Sequence, residues 1–229
     1  MNNDQYDSER IVLSIPVRFT LGQLAQLCRV RPDSPAMSSL EDLLPDVNQY
    51  AEPKAILRWC SVDSIENDRT TIAGVTFESK VMADKLKNMP RVALSVVTAG
   101  NGLERSEDLA DHPFLDLINA AILSEAGKYV VRYLKENFGY DGSSALNPGS
   151  LPDWPIINNF ALANLIGNVS EIGIELADTG YMKPWNSRSS IHFAGNGYEN
   201  CSLCKNYDCA VRRAKFDREE YIRIFGAEP

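Results

Sequence analysis

Apolar and polar positions recur along this chain with two different periods. The clearest run is helical. Between Pro113 and about Phe138, the residues Ile118, Ile122, Ala126, Val130 and Leu134 recur every fourth position, and Leu115, Ala121 and Val131 widen the stripe. Such a face predicts a long amphipathic helix lying across a sheet, with the proline in its first turn. A period of two appears in 54–62, where Ile56, Arg58, Cys60 and Val62 alternate with Leu57 and Trp59. It appears again in 91–97, where Val92, Leu94 and Val96 oppose Ala93, Ser95 and Val97. The second run is apolar enough on both faces to be a central strand. The segment 66–69 reads as a turn, and 70–77 as the returning strand of a hairpin, interrupted by Gly74.

Weaker signals fill the remainder. Residues 11–16 read as a short strand limited by Pro16. Thr20 caps a helix that starts at Leu21, and Ser38 or Ser39 caps a brief helix containing Leu40, Leu43 and Leu44 after the turn 32–35. Residues 81–86 are helical until Met89-Pro90. The segment 139–144 breaks the long helix, and 156–165 forms another that Gly167 ends. Residues 172–176, 181–182 and 191–193 are short strands. A final helical turn or two spans 207–215, and 222–225 is an apolar tail that docks on the body. Hairpins with segregated helices predict an α+β fold rather than a doubly wound sheet. Residues 1–49 read as an N-terminal extension packed on the body, 50–217 as the body, and 218–229 as a C-terminal tail.

Composition narrows the functional classes. The chain has 229 residues, 44% of them hydrophobic, which is enough to build a core. A net charge of -8 without a conspicuous basic face argues against nucleic-acid binding. The close basic group Lys205, Arg212, Arg213 and Lys215 reads as a solvated helix face. No signal peptide is evident, and no stretch approaches the roughly 20 apolar residues of a membrane helix. With five cysteines, an odd number, the expectation is a cytoplasmic chain whose sulfurs are thiols or ligands.

The strongest chemical signal is Cys201-x-x-Cys204-x-x-x-x-Cys209. Three thiolates at this spacing suit an iron–sulfur cluster or zinc, with Cys28, Cys60, His192 or an external ligand completing the set; free thiols in a structural turn are the alternative. Cys28 and Cys60 otherwise read as buried inert thiols. His192 either binds a cofactor or holds a hydrogen bond in the sheet. In the stiff loop 147–155, Trp154 is either a wall for a flat ligand or a pin into the core, and Asp153 caps the following helix. Asp178 and Tyr181 offer an acid and a phenol in a turn. The residues expected to face a ligand are therefore Asn147, Gly149, Asp153, Trp154, Asp178, Tyr181, Arg188 and His192. Gly100 and Gly102 lack the third glycine of a dinucleotide loop, and no hydrolase or nucleotide-phosphate motif is present.

Several segments taken in order resemble the activation domain of cobalamin-dependent methionine synthase and its stand-alone bacterial relatives. They are 146–155 (Leu-Asn-Pro-Gly-Ser-Leu-Pro-Asp-Trp-Pro), 173–184 (Gly-Ile-Glu-Leu-Ala-Asp-Thr-Gly-Tyr-Met-Lys-Pro), 55–60 with 62–65, the glycine turn 97–104, and the cysteine segment followed by Arg212 and Arg213. The similarity covers about 50–217. It implies an α+β body with a twisted antiparallel sheet. It also implies a role beside a corrinoid protein or corrinoid-dependent methyltransferase, whose cobalamin is rescued by reductive methylation with S-adenosylmethionine and an electron from a separate donor protein. The leading expectation is an accessory protein that docks on such a partner, with the cysteines carrying a cluster or metal. The alternatives are a non-catalytic binding module with structural zinc, or a methyltransferase that uses S-adenosylmethionine. Ala145 stands where the resemblance places a ligand-binding arginine, Ser150 where it places a tyrosine, Ser190 at a glycine, and His192 near a second tyrosine. Loss of that arginine counts against S-adenosylmethionine binding here.

Overall fold

The computed structural model describes residues 10–195, 197–205, 207–208 and 212–227. The chain forms an α+β fold with a twisted antiparallel sheet and packed helices. Strand β1 (Arg10–Ser14) leads to helices α1 (Leu21–Leu27) and α2 (Ala36–Tyr50). The meander β2 (Lys54–Glu66), β3 (Arg69–Ile72) and β4 (Val75–Glu78) follows, then α3 (Lys80–Lys85) and β5 (Arg91–Thr98). A short α4 (Glu107–Ala110) precedes the long α5 (Leu115–Phe138), then β6 (Ser144–Leu146) and α6 (Asn159–Ile166). A small hairpin, β7 (Glu175–Leu176) with β8 (Met182–Lys183), leads into β9 (Ser187–Phe193), and α7 (Arg218–Phe225) closes the described chain.

The strand order is β4-β3-β2-β5-β9-β6, with β1 also paired to β2. The long β2 has room for both: β1 pairs with its first half and β3 with its second. The period of two sorts the core. Ile56, Cys60, Val92, Leu94 and Val96 face the layer of α3 and α6. Ala55, Leu57, Trp59, Ala93 and Val97 face Ala126, Val130 and Leu134 of α5. The apolar row of α5 is buried throughout, and its first turns meet Phe19, Leu24, Leu40 and Val47 of the N-terminal segment. Each large aliphatic side chain withdrawn from water in this way contributes roughly 1.5–3 kcal/mol. Gly139, in the left-handed region at φ 62°, ends α5 by donating to Leu134 and Lys135 carbonyls.

Several elements differ from the expectations. Gly74 does not interrupt one strand; with Ala73 it makes the turn between two, β3 and β4. Helix α2 begins at Ala36 and continues through Pro45, because a proline removes only one of the helix's hydrogen bonds while Leu40, Leu43 and Val47 keep one face buried. Strand β9 starts at Ser187, four residues before the expected apolar core of that strand. The expected helix over 207–215 lies partly outside the described residues, and 212–215 are not helical. The tail is a helix, α7, with Asp217 accepting Glu220 N–H at 2.9 Å as its cap. Among the described residues no helix is long and apolar enough to cross a membrane.

Candidate functional site

The loop after β6 and strand β9 are stitched together by buried amides. Asn147 Nδ2 donates to Ser189 O and to Ser190 Oγ, both at 2.6 Å, and its Oδ1 accepts from Asn200 Nδ2 at 2.6 Å. Ser189 Oγ donates to Asn159 Oδ1 at 2.6 Å, and Asn159 Nδ2 donates to Gly180 O at 2.8 Å. One chain of hydrogen bonds thus joins the cysteine segment, the Pro-Gly loop, the sheet, α6 and the β7–β8 hairpin. Buried amides bonded in this way hold one geometry, with Asn200 Oδ1 the member left without a hydrogen-bond partner. Asn147 was expected to face a ligand; it does line a cavity, but its amide is used in holding the loop.

The rest of the loop is structural. Gly149 has φ +78°, and a Cβ there would lie 2.9 Å from Ile156 Cδ1. Trp154 is fully buried, edge-on to Phe77 with ring centroids 5.7 Å apart, so it is the pin rather than the wall. Asp153 does not cap the helix that follows it. Its carboxylate accepts Ser79 Oγ–H at 2.9 Å, Lys80 N–H at 2.6 Å and Val81 N–H at 3.3 Å, capping α3 from 72 to 74 residues away in sequence. Asp178 is exposed in the turn.

His192 is buried between two partners. Nδ1 lies 3.0 Å from Gly142 O, and Nε2 lies 2.9 Å from Ser95 Oγ. A carbonyl only accepts, so Nδ1 carries the proton and Nε2 accepts from the serine. Burial pushes the imidazole down to about 4, and the neighbouring Arg188 charge adds to the effect. The histidine is neutral at pH 7 and holds the sheet to the loop after α5.

Ala145 pairs with His192 across β6 and β9. Side chains on alternate positions therefore share one face: Ala145 and Asn147 on β6 and its continuation, Arg188, Ser190 and His192 on β9. They line a cavity of about 360 Å³ closed by Ser124, Gly127 and Lys128 of α5 and by Glu199 and Arg213. Arg188 is the unusual member. Its Nε is shut off from water without a hydrogen-bond partner, and no ion pair neutralises it among the described residues. Burial lowers its pKa, and Arg213 nearby lowers it further while Glu199 acts in the opposite sense. The guanidinium reaches α5 because Gly127 has no side chain; a Cβ there would lie 2.4 Å from Nη2. Arg213 pairs with Glu199 at 2.7 Å and Lys128 with Glu125 at 2.6 Å, and Arg188 is the cation of this cavity without an ion pair among the described residues. Arg188 and Asn147 also line an adjoining cavity of about 240 Å³, whose walls include Tyr181 and Trp185. A larger cavity of about 840 Å³ lies away from these loops, beside α3 and α7. Its Asp84 is already paired with Arg223, and none of its lining side chains is an orphaned buried polar group.

The basic group near the C-terminus is not a solvated helix face. Arg212 gathers the Cys201, Ala214 and Cys204 carbonyls at 2.6, 3.0 and 2.7 Å, and Lys205 sits 5.0 Å over the Tyr221 ring. These contacts correct the metal expectation. Among the described residues no group of three or more His, Cys, Asp or Glu is placed to hold an ion. Cys201 accepts the Arg213 N–H at 3.4 Å and is a free thiol, as is Cys204. Cys209 lies outside the described residues. The suggested further ligands are committed elsewhere: Cys28 and Cys60 are buried in separate core clusters, and both nitrogens of His192 are bonded. Neither the iron–sulfur cluster nor the zinc site is supported; an arginine organises this segment.

No family model matches the chain, and no curated protein does. A solved structure is similar over nearly the whole molecule: the crystal structure of the MetH reactivation domain bound to AdoHcy, with a TM-score of 0.57, 13% sequence identity, and coverage of 96% of this chain and 90% of that one. The shared fold is that of the MetH reactivation domain. At this identity the likeness establishes architecture, not activity. The MetH reactivation domain holds AdoHcy on this architecture, which corrects the expectation that S-adenosylmethionine binding is doubtful here. The missing arginine at Ala145 was the reason for that expectation, yet Arg188 on the adjacent strand supplies a guanidinium to the same cavity. Sequence reasoning named Arg188, Asn147, Tyr181 and His192 as facing a ligand but not Gly127, Ser124, Glu199 or Trp185, and it read Arg213 only as part of the basic group. The missing α5 residues were legible only as interruptions of its apolar stripe.

Proposed function

We propose that this chain binds a ligand of the S-adenosylmethionine class in the Arg188 cleft and acts as an accessory of corrinoid-dependent methyl transfer. The observation that carries the reading is Arg188 in a preformed cavity of this fold: a half-buried guanidinium whose Nε is shut off from water without a hydrogen-bond partner and which has no ion pair among the described residues. A planar guanidinium suits a carboxylate, which it can hold through two parallel hydrogen bonds. Ser190 and Ser124 offer hydroxyls beside it. A charged group withdrawn from water with one donor unpartnered costs free energy, and an anionic ligand group would offset that cost. The likeness to the AdoHcy-bound MetH reactivation domain supports the choice of ligand class. The sulfonium supplies the methyl group; this chain's residues position it and exclude water. The acceptor in this reading is the corrinoid of a partner protein or corrinoid-dependent methyltransferase, and the electron for reductive activation comes from a separate donor protein.

The test combines the protein with methyl-labelled S-adenosylmethionine, a corrinoid protein and a low-potential chemical reductant. Label is expected on the corrinoid, and the Arg188→Leu protein is expected to lose it. Label transferred equally well by the variant, or retained on the sulfonium throughout, overturns the reading.

A further inference from the structure

The two aromatic side chains at the mouth of the smaller cavity are left in water although their backbone is fixed. Trp185 is 71% exposed and Tyr181 48%, with ring centroids 5.6 Å apart and planes tilted by 57°. Two large apolar rings held together at the surface are an unfinished contact. Their backbone is not loose. Gly180, at φ +84°, lies so close to the segment before α6 that a Cβ would sit 2.7 Å from Ile156 O and from Ile157 Cα. Asn159 ties the Gly180 carbonyl at 2.8 Å, and Tyr181 O accepts from Ala177 N–H at 2.9 Å. On the far side of Trp185, the Asn186 carbonyl accepts from Ala99 N–H at 2.9 Å. A rigid backbone presenting exposed rings is arranged for a ligand before it arrives, which lowers the ordering cost of binding.

Both rings line the same cavity of about 240 Å³ as Arg188. Through Arg188 and Asn147 that space adjoins the cavity of about 360 Å³ under α5. The groove thus has an aromatic platform at one end and an unneutralised cation in its middle. The larger space, at about 360 Å³, is itself in the range of small-molecule sites, which combine apolar walls with a few placed polar groups.

We propose that Tyr181 and Trp185 form the ring-binding half of a two-part site, stacking the purine of an adenosyl amino acid whose carboxylate is held by Arg188. This assignment rests on the ligand class proposed above and adds which residues read which end of it. A site so built prefers the intact nucleosidyl amino acid to either fragment, because each fragment engages one half only.

The test is calorimetric titration of AdoHcy, adenosine and homocysteine into the wild-type chain and into Trp185→Ala, Tyr181→Ala and Arg188→Leu. Trp185 is mostly in water, so its removal leaves the core intact, which circular dichroism and the thermal midpoint verify. Stacking of a base on an aromatic side chain is worth about tenfold in affinity or more. Trp185→Ala is expected to weaken AdoHcy and adenosine by that factor and to leave homocysteine unchanged. Arg188→Leu is expected to weaken AdoHcy and homocysteine and to leave adenosine unchanged. If the wild-type chain shows no saturable AdoHcy binding, the ligand class itself is wrong and this assignment goes with it. If AdoHcy binds and both aromatic variants bind it as well as wild type, the ligand class stands and this assignment is overturned. Aromatic variants that keep AdoHcy affinity but lose a corrinoid-protein partner overturn it in the same way, giving the pair to docking.

Discussion

Acidification through the range where free histidine titrates tests the description of His192 most sharply. In the unfolded chain this imidazole takes a proton near 6.5; in the folded chain burial holds it neutral down to about 4. Above pH 6.5 both states are neutral and the residue makes no contribution to pH dependence. As pH falls below 6.5 the unfolded chain binds a proton that the folded chain refuses, so stability drops. The loss is complete once the folded state also protonates, near pH 4. The interval of 6.5 to about 4 corresponds to roughly 3 kcal/mol at about 1.4 kcal/mol per pH unit. That is a large share of the 5–15 kcal/mol that holds a typical domain together, on the order given by surveys of folded proteins. Urea unfolding followed by tryptophan fluorescence at several pH values between 7 and 4 gives the slope. Glu220, which Arg223 holds down at about 2 against an ordinary 4.5, loses its contribution only below about pH 4.5, so the two effects separate. His192→Asn keeps a donor for Gly142 O and cannot titrate; its stability is expected to be lower at pH 7 by about 1–3 kcal/mol and flat between pH 6.5 and 5. An equal slope in wild type and variant would show that the histidine is not the group responsible and that its burial is misdescribed.

Three other outcomes follow from the same contacts. Arg188→Leu removes a half-buried charge that has no ion pair among the described residues, so its thermal midpoint is expected at or above that of wild type while AdoHcy binding is lost; a clear loss of stability would mean the guanidinium has a structural partner. Gly127→Ala places a methyl group where the Arg188 Nη2 lies; because the guanidinium end can swing aside, the fold is expected to keep its stability, helped by about 1 kcal/mol of helix propensity, and ligand affinity to fall about tenfold. Asp153→Ala deletes the cap that the 147–155 loop provides for α3, and is expected to cost about 1–2 kcal/mol in urea unfolding; a change within error would place α3 under the control of Ser79 alone.

The sheet and the long helix were legible because their signals are local and repeated. The alternation in β2 and β5 assigns each side chain to one of two core layers, and the fourfold row of α5 is buried residue for residue. Strand β9 was visible only at Ile191, His192 and Phe193. Its first four residues, Ser187, Arg188, Ser189 and Ser190, are polar because they serve the hydrogen-bond network and the cleft, and polarity at a sheet centre reads as loop. Contacts between distant segments were hidden for a different reason. The carboxylate of Asp153 sits where it could cap the following helix, and nothing in its neighbourhood indicates that α3 is the helix it serves. The cysteine spacing was persuasive as metal chemistry, yet the carbonyls of Cys201 and Cys204 converge on Arg212, a role that spacing alone does not reveal. Trp185 passed unnoticed because an aromatic residue in a polar loop carries no period. Its signal was the company of Tyr181 four positions earlier.

Titration of AdoHcy into the wild-type and Arg188→Leu chains by calorimetry decides whether the Arg188 cleft is a ligand site. Saturable one-to-one binding that disappears in the folded variant is the predicted result. Absence of saturable binding to the wild-type chain, or equal affinity in the two, contradicts it.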